Sequence, residues 1–311
     1  LGYAALRDNT TGDNNVAIGA YASDAATTAV GNVAVGVNAM GNTTTGGSQV
    51  AVGFNTLTTN TTGSQNIAIG RQAMYGNTTG YDAVAIGVYA LDANTTGHSH
   101  VAIGYDALTS NTTSEYNIGI GFRALRYNTT GNYHVSIGSN AGGSNTTGVK
   151  NTNLGASAGR EITTGGNNTC IGIDSGRSSS PSGEITTASN IICLGDNNIS
   201  NLYCADTSIS SSDKRDKTDI TDFTNGLSWI NQLKPVTYRW DKRVWYDDNT
   251  PDGSKKRNKK HIGFLAQDVL AIEGNPTDKD DMLVVNLNED DTAYGLKYER
   301  LVPVLVNAIK E

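Results

Sequence analysis

The sequence predicts a mainly β protein, in which a parallel β-solenoid of 17-residue coils precedes a small α+β domain that ends in a helix. Three observations predict it: a strand-like tetrad recurs every 17 residues, turn-forming sequence separates the tetrads, and charge density changes near residue 206. Residues 1–206 hold 31 of the 36 glycines and 19 charged side chains, whereas residues 207–311 hold 34 charged side chains and all three tryptophans. We therefore place two domains, at 1–206 and at 207–311.

The tetrad reads V-A-I-G in its most frequent form. A repeat with so short a strand cannot bury its hydrophobic face alone, so neighbouring coils must stack at about 4.8 Å and share a core. We expect the valines and isoleucines to point into the coil and the intervening alanine to point outward. Gly2 extends the register backwards, and Gly195 follows after a six-residue insertion. The ten glycines spaced by 17 residues are Gly19, Gly36, Gly53, Gly70, Gly87, Gly104, Gly121, Gly138, Gly155 and Gly172.

A second column of residues lies four positions before each glycine and is mostly asparagine. Side-chain amides at one level of neighbouring coils can hydrogen-bond along the stack. His100 and His134 replace the amide in two coils. They could hold a metal, but we favour imidazole as an amide substitute on a solvated edge, and we predict no metal site and no cofactor.

Turn sequence of the type N-T-T-G separates the tetrads. Its eight N-T-T triplets match the acceptor pattern for N-glycosylation, but they recur because the turn recurs, so we interpret them as turns. Cys170 and Cys193 occupy the same column in successive coils, and Cys204 lies farther on. We favour small buried thiols over a disulfide, since parallel neighbours rarely meet disulfide geometry.

Aromatic residues follow several of the column glycines and could form a stripe on which sugars stack, although we do not favour that reading. They are Tyr3, Tyr21, Phe54, Tyr89, Tyr105 and Phe122.

Composition excludes several functional classes. No run of about 18 apolar residues encodes a membrane span, and the first residues lack the layout of a secretory signal, so we predict no membrane insertion. The net charge is −7 and the basic residues of the first domain are scattered, which argues against nucleic acid as a partner. The repeat is already running at Gly2, so we expect the natural N-terminus to lie upstream.

These repeats resemble the head repeats of trimeric autotransporter adhesins of the YadA type, whose motif is N-x-V-A-I-G. In this chain an asparagine directly precedes the tetrad, as Asn15 does, and a small residue follows the glycine three positions later. The resemblance covers residues 1 to about 200 and implies a left-handed parallel β-roll that trimerises about its long axis. Three chains wound into one interlaced prism would fit the same repeat.

The second domain alternates helix-like and strand-like segments. Residues 226–233 read as a helix and 236–240 as a strand, and the charged stretch 241–260 reads as a hairpin or arm. A strand running into a helix follows from His261, and two strands then flank an acidic turn. Residues 298–311 form a helix with an apolar stripe that faces a partner. The stripe consists of Leu301, Val304, Leu305, Ala308 and Ile309.

Four motifs in this domain resemble the C-terminal intramolecular chaperone of phage tail fibres and endosialidase tailspikes. They are S-D-x-R-x-K-x-x-I from Ser212, L-x-P-V-x-Y-x-W from Leu233, H-I-G-F-x-A-Q-D-V from His261 and Y-x-x-L-V-P-V-L-V-x-A-I-K-E from Tyr298. The resemblance implies a domain that trimerises, assists folding of the preceding fibre and cleaves itself off. It assigns a catalytic serine–lysine dyad to Ser212 and Lys217.

The chemistry suits these residue types. A serine hydroxyl becomes a nucleophile when a base takes its proton, and a lysine amine can do so once it is neutral. Attack by Ser212 on the carbonyl of Ser211 closes a five-membered ring and makes an ester, as in an N-to-O acyl shift. Cutting instead between Ser212 and Asp213 would need a serine from another chain or an activated water. By spacing alone the stretch reads as a linker; the surrounding motifs favour the dyad.

These predictions combine into the distal segment of a trimeric tail fibre or tailspike, assembled in the host cytoplasm and carried on the virion. Its partners would be two further copies of the chain and a host-surface receptor, either a glycan or an outer-surface protein. An alternative is the head of a trimeric bacterial surface adhesin without enzymatic activity. A third reading, a glycan-degrading tailspike, lacks a convincing pair of acids in residues 1–206, so we expect any glycosidase upstream of Leu1.

Overall fold

The computed structural model describes residues 1–199, 217–246, 248–287 and 293–311. The chain divides into two compact units, Leu1–Ser200 and Asn201–Glu311. The predicted domain boundary after residue 206 lies outside the described residues and stays a prediction.

The first unit is a parallel β-solenoid, as predicted. Its eleven three-residue strands form one sheet in chain order, and each strand residue pairs with the residue 17 positions on, as Val16 does with Val33. The last step is 23 residues, from Thr169 to Ile192, because an insertion lengthens that coil. The strands are β1 Val16–Ile18, β2 Val33–Val35, β3 Val50–Val52, β4 Ile67–Ile69, β5 Val84–Ile86, β6 Val101–Ile103, β7 Ile118–Ile120, β8 Val135–Ile137, β9 Thr152–Leu154, β10 Thr169–Ile171 and β11 Ile192–Leu194.

The glycine column ends each strand where no other residue fits. Gly87 has φ +139°, and a Cβ added to it would overlap the carbonyl oxygen of Gly104 in the next coil. The same relationship joins Gly104 to Gly121. A column glycine is therefore required for two reasons. Its φ angle is one that L side chains avoid, and its close contact with the next coil leaves no room for a Cβ.

The orientation predicted for the strand residues is wrong. The middle residue points into the coil: Ala34, Ala68 and Ala102 are fully buried, whereas Ile67 and Ile69 are 39% and 38% exposed. A coil this narrow admits only small strand side chains, because a second apolar column fills its interior. That column lies four positions after the glycines and comprises Met40, Leu57, Met74, Leu91, Leu108 and Leu125, all fully buried.

Threonines of the N-T-T turns hold successive coils together. Thr78 Oγ1 donates to the carbonyl oxygen of Thr95 at 3.0 Å, and Thr95 Oγ1 donates to Thr112 in the same way. These bonds continue at 17-residue steps from Thr10 to Thr146. The stacked turns therefore form a hydrogen-bonded ladder. The N-T-T sequence recurs because each coil needs the same threonine to continue it.

The second unit contains three helices and two antiparallel strand pairs in its described residues. Strand β12 (Val236–Tyr238) pairs with β13 (His261–Gly263), and β14 (Val285–Leu287) pairs with β15 (Tyr294–Leu296). The predicted acidic turn between β14 and β15 lies outside the described ranges. In the described part of 241–260 the arm contains a short 3₁₀ helix, Arg243–Trp245, and no strand. The elements are α1 Leu227–Ile230, β12 Val236–Tyr238, β13 His261–Gly263, α2 Ala266–Ile272, β14 Val285–Leu287, β15 Tyr294–Leu296 and α3 Leu301–Lys310.

A small apolar core unites these elements. Trp229 from α1, Val269 from α2, Val285 from β14 and Val304 from α3 are all buried in it. None of the helices in the described ranges has the length and apolarity needed to cross a lipid bilayer.

Candidate functional site

The strand face of the solenoid is a continuous apolar surface. Each coil adds two outward-pointing branched side chains, which are apolar except for Thr152 and Thr169, and in the single chain the exposed fractions include 47% at Val16 and 75% at Ile192. Soluble monomers rarely expose contiguous apolar patches larger than a few hundred Å². The orientation that corrects the sequence prediction thus produces a surface suited to burial against other chains.

The amide column is buried, not on a solvated edge. Each asparagine bonds to the next coil with both ends of its amide: Asn32 Oδ1 accepts from the backbone N–H of Gln49 at 2.9 Å, and Asn32 Nδ2 donates to the carbonyl of Gly46 at 2.8 Å. The partners are backbone groups that the narrow coil leaves without other bonds. The column therefore satisfies buried polar backbone as well as linking coils.

The two histidines of this column act as amide substitutes, as predicted. His100 Nδ1 accepts from Asn117 N at 3.3 Å, and its Nε2 donates to Ser114 O at 2.9 Å. Burial lowers the pKa of both His100 and His134 to about 4, so both rings are neutral at pH 7. No cluster of three potential metal ligands occurs among the described residues.

The asparagines of the N-T-T turns form a second buried ladder. Asn94 Nδ2 donates to Asn77 Oδ1 at 2.8 Å and to the carbonyl of Gly97 in its own turn at 2.9 Å. Asn111 repeats the arrangement with Asn94. Five successive turns share this ladder, from Asn60 to Asn128, and these amides are fully buried and out of reach of a glycosyltransferase in the folded coil. The turn interpretation of these triplets is confirmed.

Cys170 and Cys193 are free, buried thiols, as predicted. They face each other in register between β10 and β11. Burial raises the pKa of Cys170 to about 12, so its thiol stays protonated.

Aromatic side chains on the solenoid surface contact one another between coils. Tyr105 and Phe122 stack with ring centroids 5.6 Å apart, and Tyr116 stacks on Tyr133 at 5.3 Å. Within the predicted stripe, however, Tyr3 meets Tyr21 and Tyr89 meets Tyr105 edge to face, with ring centroids 5.4 and 6.1 Å apart. The use of the stripe by a sugar is not tested by these contacts.

In the second unit, three of the four sequence motifs meet through hydrogen bonds. The hydroxyl of Tyr298 accepts from Phe264 N at 3.1 Å, and its ring packs against Phe264, which joins the third motif to the fourth. Tyr238 of the second motif lies opposite His261 in the β12–β13 pair and stacks on it. These contacts give the motifs a structural role in one domain.

Two carboxylates tie the second unit together: Glu273, which lies outside the four motifs, and Glu311, which ends the fourth. Glu273 accepts from the backbone N–H groups of Leu283, Val284 and Val285, at 2.6 Å for Val284. The C-terminal residue Glu311 accepts from Leu227 N at 2.9 Å, at the start of α1. Glu273 has no sequence signal, because single acids on charged surfaces are common.

The predicted stripe of α3 is divided between two environments. Leu301 and Val304 belong to the unit's own core, whereas Leu305 is 45% and Ile309 is 84% exposed. A cavity of about 250 Å³ lies beside this helix, lined by apolar side chains that include Trp229 and Pro303. The helix thus supports its own unit and still presents apolar surface.

The predicted dyad lies at the edge of what the structure describes. Ser211, Ser212 and Asp213 are outside the described residues, and Lys217 is exposed at the start of the described segment. The assignment of nucleophile, base and cleavage site therefore stays a prediction.

Residues 212–277 match the family model described as chaperone of endosialidase. A chaperone domain of this type follows the repeats. The match begins at Ser212 and includes the first three motifs, and the Tyr298 contact attaches the fourth to the same domain. No curated protein and no solved structure matches the chain. The comparisons therefore identify the chaperone domain, whereas the solenoid is assigned from its strand pairing in the structure.

Proposed function

We propose that this chain is the distal segment of a trimeric phage tail fibre or tailspike, carried on the virion and used for host attachment. The observation that carries the proposal is the order of the two parts: an endosialidase-type chaperone domain directly follows a solenoid whose strand face exposes a row of valines and isoleucines. Two further copies of the chain would cover that row about a common axis.

The chaperone domain solves a folding problem that the solenoid creates. Long-range parallel pairing is slow and prone to aggregation, and a 17-residue repeat can slip by one coil while keeping its local contacts. A domain that trimerises at the C-terminal end would fix the register of three chains before the coils assemble. The exposed apolar residues of α3, with Ile309 the most exposed, are suited to that first association.

Self-cleavage would then release the assembled fibre. Lys217 Nζ takes the proton of Ser212 Oγ as that oxygen bonds to the carbonyl carbon of Ser211. The Ser211–Ser212 C–N bond breaks as the proton passes to the Ser212 nitrogen, which leaves an ester that water hydrolyses. A lysine accepts a proton only when neutral, and burial favours the neutral amine. Because Lys217 is exposed in the single chain, we propose that assembly buries it and that cleavage waits for the trimer.

Mass spectrometry of the full chain under native and denaturing conditions tests trimer and cleavage together. We expect a native mass of three solenoid segments and a denatured mass that ends at Ser211. Ser212→Ala and Lys217→Arg should each leave one full-length species. Ser211→Ala is the matched control, because only the carbonyl of that residue reacts, and it should be cut normally. A monomeric native mass would refute the trimer, and cleavage of Ser212→Ala near residue 212 would refute the dyad.

A further inference from the structure

A notch interrupts the solenoid surface where one coil lacks a side chain. In three successive coils the fifth residue after the column glycine is Arg126, Gly143 and Arg160. The glycine in the middle leaves a gap between two arginines. The resulting cavity has a volume of about 100 Å³ and is polar, with Arg123, Asn140, Ser144 and Tyr127 completing its lining.

The lining contains three cations and no acid. The nearest acids lie on its flanks and contact the arginines at Nε: Asp106 Oδ2 is 3.6 Å from Arg123 Nε and 3.4 Å from Arg126 Nε, and Glu161 Oε1 is 3.8 Å from Arg160 Nε. These ion pairs engage the Nε atoms of the arginines. They leave the terminal amino groups of the guanidinium groups available for other partners.

The terminal amino groups of the three arginines have unused hydrogen-bonding capacity. The Nε atoms of Arg123 and Arg126 are buried without a hydrogen-bond partner, and the terminal amino groups of Arg123, Arg126 and Arg160 donate no hydrogen bond within the described part of the chain. Arg123 and Arg126 are further held over the rings of Phe122 and Tyr127, at 4.7 and 5.0 Å. A pre-positioned guanidinium with free donors is the group that proteins use to bind carboxylate and phosphate through paired hydrogen bonds.

We propose that this notch binds one anionic group, a carboxylate or a phosphate, of a surface polysaccharide. The volume equals that of roughly three water molecules, which suits the charged group and leaves the sugar ring outside. None of the lining residues lies in a strand, so the apolar strand face is made of other residues. The proposal rests on the host-attachment function above and names the chemistry of the receptor.

Saturation-transfer NMR on the purified protein, cut or uncut, tests it with three probes: glucuronate, glucose 6-phosphate and glucose. Saturable binding of the first or the second, with none of glucose, is expected, and the stronger of the two identifies the source of the anion. Arg160→Gln should weaken that binding about tenfold, the effect of one lost charge-assisted hydrogen bond. Gly143→Ser, which fills the notch without changing charge, should weaken it similarly. Arg71→Gln, an arginine held over Tyr89 outside the notch, is the matched control.

Equal signals from glucose and both anions, or unchanged affinity in Arg160→Gln and Gly143→Ser, would overturn the proposal. Thermal unfolding of each variant separates lost binding from lost folding, and Arg160→Gln spares the Asp106 ion pairs. Trimerisation and cleavage are measured by mass, so a failure of this site and a failure of the proposed fibre assembly are distinguishable.

Discussion

His134 and Asn151, one coil apart, are joined by a hydrogen bond in which a histidine ring replaces an asparagine side chain: His134 Nδ1 accepts from Asn151 N at 3.1 Å. The other ring nitrogen donates to Gly148 O at 2.7 Å, so the imidazole spans the same two backbone partners as an amide. A ring that must accept at Nδ1 and donate at Nε2 cannot be protonated without losing the first bond.

The solenoid should therefore lose stability in mild acid. The folded-state pKa of about 4 at His134 and His100 lies below the unfolded value of about 6.5. Their stabilising effect is fully present above pH 6.5 and is lost as the pH falls from there towards 4, by on the order of 3 kcal/mol for each ring. His134→Asn should match the parent melting temperature at pH 7.5 and exceed it at pH 5. Equal pH profiles for His134→Asn and the parent protein would contradict the argument.

Because some N-T-T asparagines are in the buried ladder and others are exposed, the same substitution should change the free energy of unfolding by different amounts in different triplets. Asn94→Ala removes donors to Asn77 Oδ1 and Gly97 O inside the coil, and we expect it to cost about 2 kcal/mol. Asn42 begins the same N-T-T triplet but is exposed, and Asn42→Ala should change stability by less than about 0.5 kcal/mol. Chemical denaturation followed by circular dichroism measures both. Similar costs for the two variants would show that the ladder contributes nothing.

Column glycines should tolerate no side chain. Gly87→Ala adds a Cβ against Gly104 O at φ +139° and should destabilise the solenoid by more than about 3 kcal/mol, because two coils must separate. Gly31 also has a positive φ, +71°, but a Cβ there meets nothing within 4 Å. Gly31→Ala should cost about 1 kcal/mol. Thermal unfolding compares them, and a Gly87→Ala protein as stable as Gly31→Ala would refute the steric account.

The two faces of a strand should respond oppositely to substitution. Ala68→Leu forces a large side chain into the filled coil and should lower the melting temperature of the single chain. Ile67→Asp, one residue earlier on the exposed face, should spare the single chain and dissociate the proposed trimer, which sedimentation velocity detects. Loss of folding in Ile67→Asp together with a normal Ala68→Leu would reverse the assigned orientation.

Much of the architecture follows from local rules of sequence. The 17-residue period, the parallel register and the turn nature of N-T-T-G are visible because each coil repeats one solution. The chaperone domain is recognisable for a different reason, since its motifs are ordered along the chain. Glu273 has no sequence signal because its role depends on three backbone N–H groups ten to twelve residues away, which no spacing of side chains reveals.

The sequence by itself does not determine which strand side chains point into the coil. In V-A-I every residue is apolar, so alternation defines two faces without saying which is inside. The tertiary structure decides it by volume: with Leu91 and its equivalents already filling the coil, only alanine fits beside them, and valine and isoleucine are turned out. The sequence determined the period and the pairing; the limited space inside the coil decided that the amides and histidines are buried and that the apolar row faces outward.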